Sequence, residues 1–214
     1  MQENHLSVSF KARYVSSTEA NAGIRKVIFV LHGYGMLAQY FLQKFKPLFA
    51  DDTLVIAPEG LSRFYLQGFN GRVGATWMTK EDRQTDIENY ITYLDTLAGH
   101  IATQCPNAEF YLLGFSQGAA TVSRWVVLGQ PKWSKLILWA GLFPPDLPFE
   151  LANEKMSPDQ QVYVVYGNQD PYLKEEHIQS IPTAAEKLHI SPIILTFEGE
   201  HELHTPTLKQ IFNP

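Results

Sequence analysis

The chain has 214 residues, 45% of them apolar and 18% charged, which is enough apolar material for a sizeable core and excludes a disordered, collagenous or low-complexity protein. Its 17 Lys+Arg against 22 Asp+Glu leave a formal charge of −5. Without a long basic run, such a chain is a poor partner for nucleic acid.

The first patterned stretch, residues 6–12, alternates apolar and polar side chains and predicts an edge strand with one wet face. Residues 27–31 are continuously apolar, as a central strand buried on both faces requires. Similar runs follow at 54–56, 110–113, 136–139, 162–166 and 193–195. Between them, residues 86–101 place Ile87, Tyr90, Ile91, Leu94, Leu97 and Ile101 on one helical stripe. Further helices are expected over 119–128, 175–188 and 207–212. Strands alternating with helices predict an α/β fold with a mostly parallel sheet covered on both faces. No repeat, linker or composition break divides the chain, so a single domain over residues 1–214 is expected.

The chemistry centres on Gly114-Phe115-Ser116-Gln117-Gly118, which fits Gly-x-Ser-x-Gly. An apolar strand runs into it and a helix-compatible segment runs out, the context of a nucleophile elbow that raises a serine above the sheet. A serine hydroxyl needs a base and an acid to orient that base. The strand at 162–166 leads into Gly167-Asn168-Gln169-Asp170-Pro171, and the strand at 193–195 leads towards Glu198-Gly199-Glu200-His201. Asp170 and His201 are therefore expected at the same sheet edge, in the chain order Ser116, Asp170, His201 of an α/β hydrolase. Asp146, in a Pro-rich loop, is the rival acid, and His204 the rival base.

Directly after the central strand comes His32-Gly33-Tyr34-Gly35. Acyl transfer builds negative charge on the carbonyl oxygen and calls for two aimed donors. The backbone N–H groups of Tyr34 and Gln117 are the candidates for this oxyanion hole. His201-Glu202-Leu203-His204 has its histidines one residue too close for the His-Glu-x-x-His zinc pattern, and no metal site is expected. The single cysteine, Cys105, permits no internal disulfide and reads as buried filler.

These motifs resemble the phospholipase/carboxylesterase family of α/β hydrolases, which includes acyl-protein thioesterases and small carboxylesterases. The resemblance rests on Leu31-His32-Gly33-Tyr34-Gly35, Ala57-Pro58-Glu59-Gly60, Trp77, Gly114-Phe115-Ser116-Gln117-Gly118, Gly167-Asn168-Gln169-Asp170 and Gly199-Glu200-His201-Glu202. They run nearly the length of the chain, in the family's order. The resemblance implies a hydrolase of carboxylic esters or thioesters that needs no cofactor, with Ser116 as nucleophile, Asp170 as acid and His201 as base. A ligand-binding protein that keeps the fold but turns over slowly is the reading from another class.

The segment 141–160, with Pro144, Pro145, Pro148 and Pro158, is too short for a cap domain, so the site should be open above Ser116. The insert at 58–80 reads as a loop rich in glycine and aromatics, including Phe64, Tyr65, Phe69 and Trp77. It is expected to shape a pocket for short to medium acyl chains, with Trp77 and Phe115 as substrate-binding residues. The N-terminus lacks the basic start and apolar stretch of a signal peptide, and no segment approaches a transmembrane length. A cytoplasmic location, no integral membrane segment, a small-molecule ester or thioester as partner and a homodimer as candidate assembly complete the expectations.

Overall fold

The central run lies in a strand whose successive side chains enter two different cores. A computed structural model describes residues 1–152, 155–157 and 159–212, so Pro158 lies outside the described residues. After the short strand β1 (Tyr14–Ser16), β2 (Lys26–Leu31) sends Val27, Phe29 and Leu31 to one face and Ile28 and Val30 to the other. That two-sided burial explains why the run has no polar alternation. On the first face pack α2 (Arg83–Gln104) and α3 (Gln117–Leu128), through Ile87, Tyr90, Leu94, Val122 and Trp125. On the second pack α1 (Ala38–Gln43) and α7 (Thr205–Phe212), through Phe41, Leu42, Leu208 and Phe212. Each such side chain, removed from water, contributes on the order of 1.5–3 kcal/mol.

The remaining strands of the main sheet are β3 (Thr53–Pro58), β6 (Glu109–Phe115), β7 (Lys135–Trp139), β8 (Gln161–Gly167) and β9 (Ile193–Phe197). The sheet has seven strands in the order β1-β3-β2-β6-β7-β8-β9, parallel except for β1. The order reverses between β2 and β6. The crevice outside the carboxyl ends of strands at such a switch point is where open α/β sheets bind ligands. Between β7 and β8 the one helix among the described residues is α4, Phe149–Ala152, so there is no cap domain.

Three expectations need correction. Residues 6–12 form no strand; Leu6, Val8 and Phe10 are exposed, and the edge is built by β1 in antiparallel register, Tyr14 opposite Pro58. The reason lies in β3. Pro58 has no N–H, the Glu59 N–H takes the Arg13 carbonyl, and the Gly60 N–H is committed to the His32 ring. No N–H remains there for residues 6–12 to pair with.

The helix expected over 175–188 is two, α5 (Glu175–Gln179) and α6 (Ile181–Lys187), broken where Pro182 cannot donate to the preceding turn. The aromatic insert is not an irregular loop. It is an antiparallel hairpin, β4 (Ser62–Gln67) with β5 (Asn70–Thr76), turning where Gly68 and Gly71 both adopt positive φ.

Candidate active site

β6 runs directly into α3, and the residue at the junction, Ser116, has φ 55° and ψ −117°. That is a costly conformation for a residue with a Cβ, of order 1–3 kcal/mol, and such strain collects at functional sites. The flanking glycines make the turn possible. A Cβ on Gly114 would lie 2.1 Å from the Gly118 carbonyl oxygen, and one on Gly118 would lie 2.2 Å from that of Leu31. The Ser116 N–H donates to the Trp139 carbonyl at 2.8 Å, tying the turn to the end of β7, and the serine itself is half-buried.

Asp170 stands in the turn after β8. Its side chain is inaccessible to solvent, its Oδ1 accepts the Tyr172 N–H at 2.9 Å, and its Oδ2 lies 2.7 Å from His201 Nδ1. An ionised carboxylate can only accept, so the proton of a neutral His201 sits on Nδ1 and leaves Nε2 with a lone pair. The imidazole lies between two rings, Phe115 at 5.0 Å and Tyr172 at 4.7 Å between centroids. A cleft of about 560 Å³ opens beside it, lined by Pro171, Tyr172, Gly199, Glu200, His201 and Glu202. Ser116 and His201 share no hydrogen bond among the described residues; such bonds are often long before substrate arrives.

His204, the rival base, is turned to another task. Its Nδ1 meets Thr207 Oγ1 at 2.9 Å at the start of α7, and its ring stacks on Phe197 at 4.9 Å. Asp146, the rival acid, faces Arg83 and Arg124. Cys105 is buried, and burial pushes its thiol pKa up. Exposed Glu3, His5 and Asp82 cluster elsewhere, with His5 Nε2 on Asp82 at 2.9 Å. Exposed groups of this kind are common without a metal ion.

The segment after β2 is held in place by a buried histidine. The Gly60 N–H donates to His32 Nε2 at 2.9 Å, which puts the ring proton on Nδ1, 2.8 Å from the Gly33 carbonyl oxygen. Burial lowers the His32 pKa, keeping the ring neutral as this pattern requires. In a trans peptide the carbonyl and the following N–H point apart. Holding the Gly33 oxygen therefore aims the Tyr34 N–H the opposite way. Among the described residues, the backbone N–H groups of Tyr34 and Gln117 have no protein acceptor. The Gln117 side chain is engaged elsewhere, accepting from the Trp77 N–H at 3.2 Å and donating to the Met78 carbonyl at 2.9 Å.

Trp77 and Phe115, expected to face substrate, are buried in the core. Each is 2% exposed. Trp77 lies in the core, its indole N–H donating to the His32 carbonyl at 2.8 Å and its ring 5.0 Å from the His32 ring. It braces the segment from below, because an indole N–H in an apolar interior must find an acceptor. Phe115 packs on His201 and Phe41 and supports the imidazole. Aromatic surface is exposed on the hairpin, at Tyr65 and Phe69, and on Tyr34, whose ring tilts against Phe64 at 5.2 Å.

A half-buried serine on a strained strand-to-helix turn, with a histidine–aspartate pair at the same edge of a mostly parallel sheet, defines the class: this is an α/β hydrolase. A family model described as serine aminopeptidase, S33 matches residues 22–166, and the chain belongs to that hydrolase family. Among solved structures, acyl-protein thioesterase 2 of Zea mays superposes with a TM-score of 0.70 at 17% identity, covering 94% of this chain and 96% of that one. A phospholipase/carboxylesterase from Dyadobacter fermentans gives 0.67 at 20% identity, covering 97% of both chains. Esterase PE8 gives 0.67 at 20% identity, covering 94% and 100%. At these identities the likeness is one of fold. No curated relative matches the sequence.

Proposed function

We propose that the protein is a serine hydrolase that cleaves carboxylic esters of short to medium acyl chains through an acyl-enzyme. The observation that supports this most is the 2.7 Å contact between His201 Nδ1 and a fully buried Asp170 carboxylate, at the sheet edge that carries the strained Ser116. Ser116 Oγ attacks the ester carbonyl while His201 Nε2 takes its proton. The oxygen of the tetrahedral intermediate is held by the N–H groups of Tyr34 and Gln117. His201 then returns the proton to the leaving alcohol, and water repeats the sequence on the acyl-enzyme. Asp170 holds the imidazole tautomer and stabilises the cation formed in each half. No step calls for a cofactor. A cleft without a cap favours small esters over peptides, and the thioesterase named among the structural neighbours makes a thioester the second substrate to try.

The test is a nitrophenyl ester series from two to twelve carbons, run beside an acyl thioester and an aminoacyl anilide, with a fluorophosphonate as label. Wild-type protein is expected to take up one label per chain and to turn over the shorter esters. Ser116→Ala should take up none and lose on the order of 10⁶ in kcat. A Ser116→Ala variant that kept a tenth of the turnover, or a wild type preferring the anilide, would overturn this reading.

A further inference from the structure

We propose that Trp139 is a positioning residue that sets the separation of the Ser116 nucleophile from the His201 base, an inference that rests on the functional reading above. Trp139 ends β7, fully buried, paired with Phe115 of β6 on one side and Val165 of β8 on the other. It reaches both halves of the site. Its backbone carbonyl accepts the Ser116 N–H at 2.8 Å, and its indole Nε1–H donates to the carbonyl of Glu202, the residue after His201, at 2.7 Å.

The other hydrogen bonds around the His201 loop arise within that loop or from the loop that carries Asp170. The Gln169 N–H donates to the Gly199 carbonyl, the Gly199 N–H to Asn168 Oδ1, and the Glu202 N–H to the Glu200 carbonyl. Together with the Asp170–His201 contact, they make acid and base one unit. Beyond the β7–β8 ladder, which ends with the Ala140 N–H on the Val165 carbonyl, a single hydrogen bond among the described residues joins the loops of that unit to the half of the sheet that carries Ser116, and Trp139 makes it. The Phe115 ring also touches His201, but ring packing is non-directional and does not fix a separation.

Without the indole donor, the acid–base pair stays intact, but its loops are held only through the β7–β8 ladder below and can shift relative to the serine. Proton transfer between Ser116 and His201 depends steeply on distance, and a misplacement of about 1 Å costs on the order of 10²-fold in rate. Substrate binding does not use that contact. The expected signature of losing the donor is a fall in kcat of about 10- to 100-fold, with KM and the Asp170 dependence unchanged.

Two variants read it. Trp139→Phe removes the N–H and some volume. Replacing the Trp139 indole by benzothiophene, through incorporation of β-(3-benzothienyl)alanine, exchanges N–H for sulfur in the same shape and settles the matter if the phenylalanine variant folds poorly. Each is assayed on a short nitrophenyl ester, alone and combined with His201→Ala. A tether acting through His201 lowers kcat in the His201 background and has no further effect once His201 is alanine. Equal losses in both backgrounds, a loss confined to KM, or a benzothienyl protein with wild-type kcat overturns the inference. A wild-type chain without ester turnover overturns the functional reading and this inference with it, so the two failures are distinguishable.

Discussion

Two aspartates follow neighbouring strands on the same edge of the sheet and meet opposite kinds of partner. Asp146, after β7, keeps 41% of its side chain exposed, and its carboxylate is shared by Arg83 and by Arg124 Nη2, the latter at 2.7 Å. Burial pushes its pKa up, but the hydrogen bonds and charges of the two guanidinium groups outweigh that and hold it below the usual carboxylate range. Asp170, after β8, has no exposed side chain and meets a single imidazole. A carboxylate facing permanent cations is spent on structure: it staples the 141–148 loop to α2 and α3. A carboxylate facing a group that gains and loses a proton can stabilise one protonation state over the other, which is what base catalysis needs. Position after a strand does not separate the two; the partner does.

The sharpest way to break this comparison is to remove the charge from each. Asp170→Asn should lower kcat by about 10⁴, because the wrong imidazole tautomer is favoured, while Asp146→Asn should leave kcat within about threefold. The readout is steady-state hydrolysis of a short nitrophenyl ester, and similar losses at both positions would erase the distinction.

A smaller effect is expected in stability, with the order reversed. Arg124 is 5% exposed and its Nε has no hydrogen-bond partner among the described residues, so losing Asp146 strands a buried cation. Breaking a fully buried pair costs about 3–5 kcal/mol; the exposure of Asp146 reduces this to about 1–3 kcal/mol. Urea titration of Asp146→Asn should show a lower midpoint with an unchanged slope. An unchanged midpoint would mean that the arginines rest on solvent alone.

The smallest effect is in acid. Because the folded-state pKa of Asp146 is depressed, its contribution is complete above the unfolded carboxyl value of about 4 and fades as pH falls through the folded value. The melting temperatures of wild type and Asp146→Asn should therefore converge below about pH 4. A gap that did not narrow at all as pH fell below about 4 would show that the cluster holds through geometry rather than charge.

Much of the site can be read from the chain because its signals are local. At Gly114 the clash that excludes a side chain arises within the turn itself, against the Gly118 carbonyl, whereas at Gly118 it comes from the Leu31 carbonyl of the neighbouring β2; the Gly-x-Ser-x-Gly spacing marks the turn all the same. Asp170 follows an apolar run that lies in a buried parallel strand. The run before His201 lies in β9, an edge of the sheet where Ile193 and Ile194 are exposed rather than buried. Both strands are parallel, so the arrival of the two residues at one edge follows from direction. The failures are non-local. Residues 6–12 have the alternation of a strand, yet beyond β1 the neighbouring chain offers them no N–H, because Pro58 has none and those of Glu59 and Gly60 are engaged by Arg13 and His32. The hairpin did carry a signal, in Gly68-Phe69-Asn70-Gly71 between two runs of β-formers, but the glycines read equally well as a loop.

Trp77, Phe115 and Trp139 show where the division falls. An aromatic near a motif is apolar surface in any sequence-based reading, and whether it faces ligand or core depends on which neighbours reach it first. The succession of strands and helices along the chain, the turn at Ser116 and the places of Asp170 and His201 after β8 and β9 were legible in the sequence itself, through backbone sterics and burial periodicity that act within a few residues. The tertiary structure alone decided that two indole N–H groups, both in the core, would bond the His32 and Glu202 carbonyls, because those acceptors lie 45 and 63 residues away along the chain and meet the rings only once the sheet has closed.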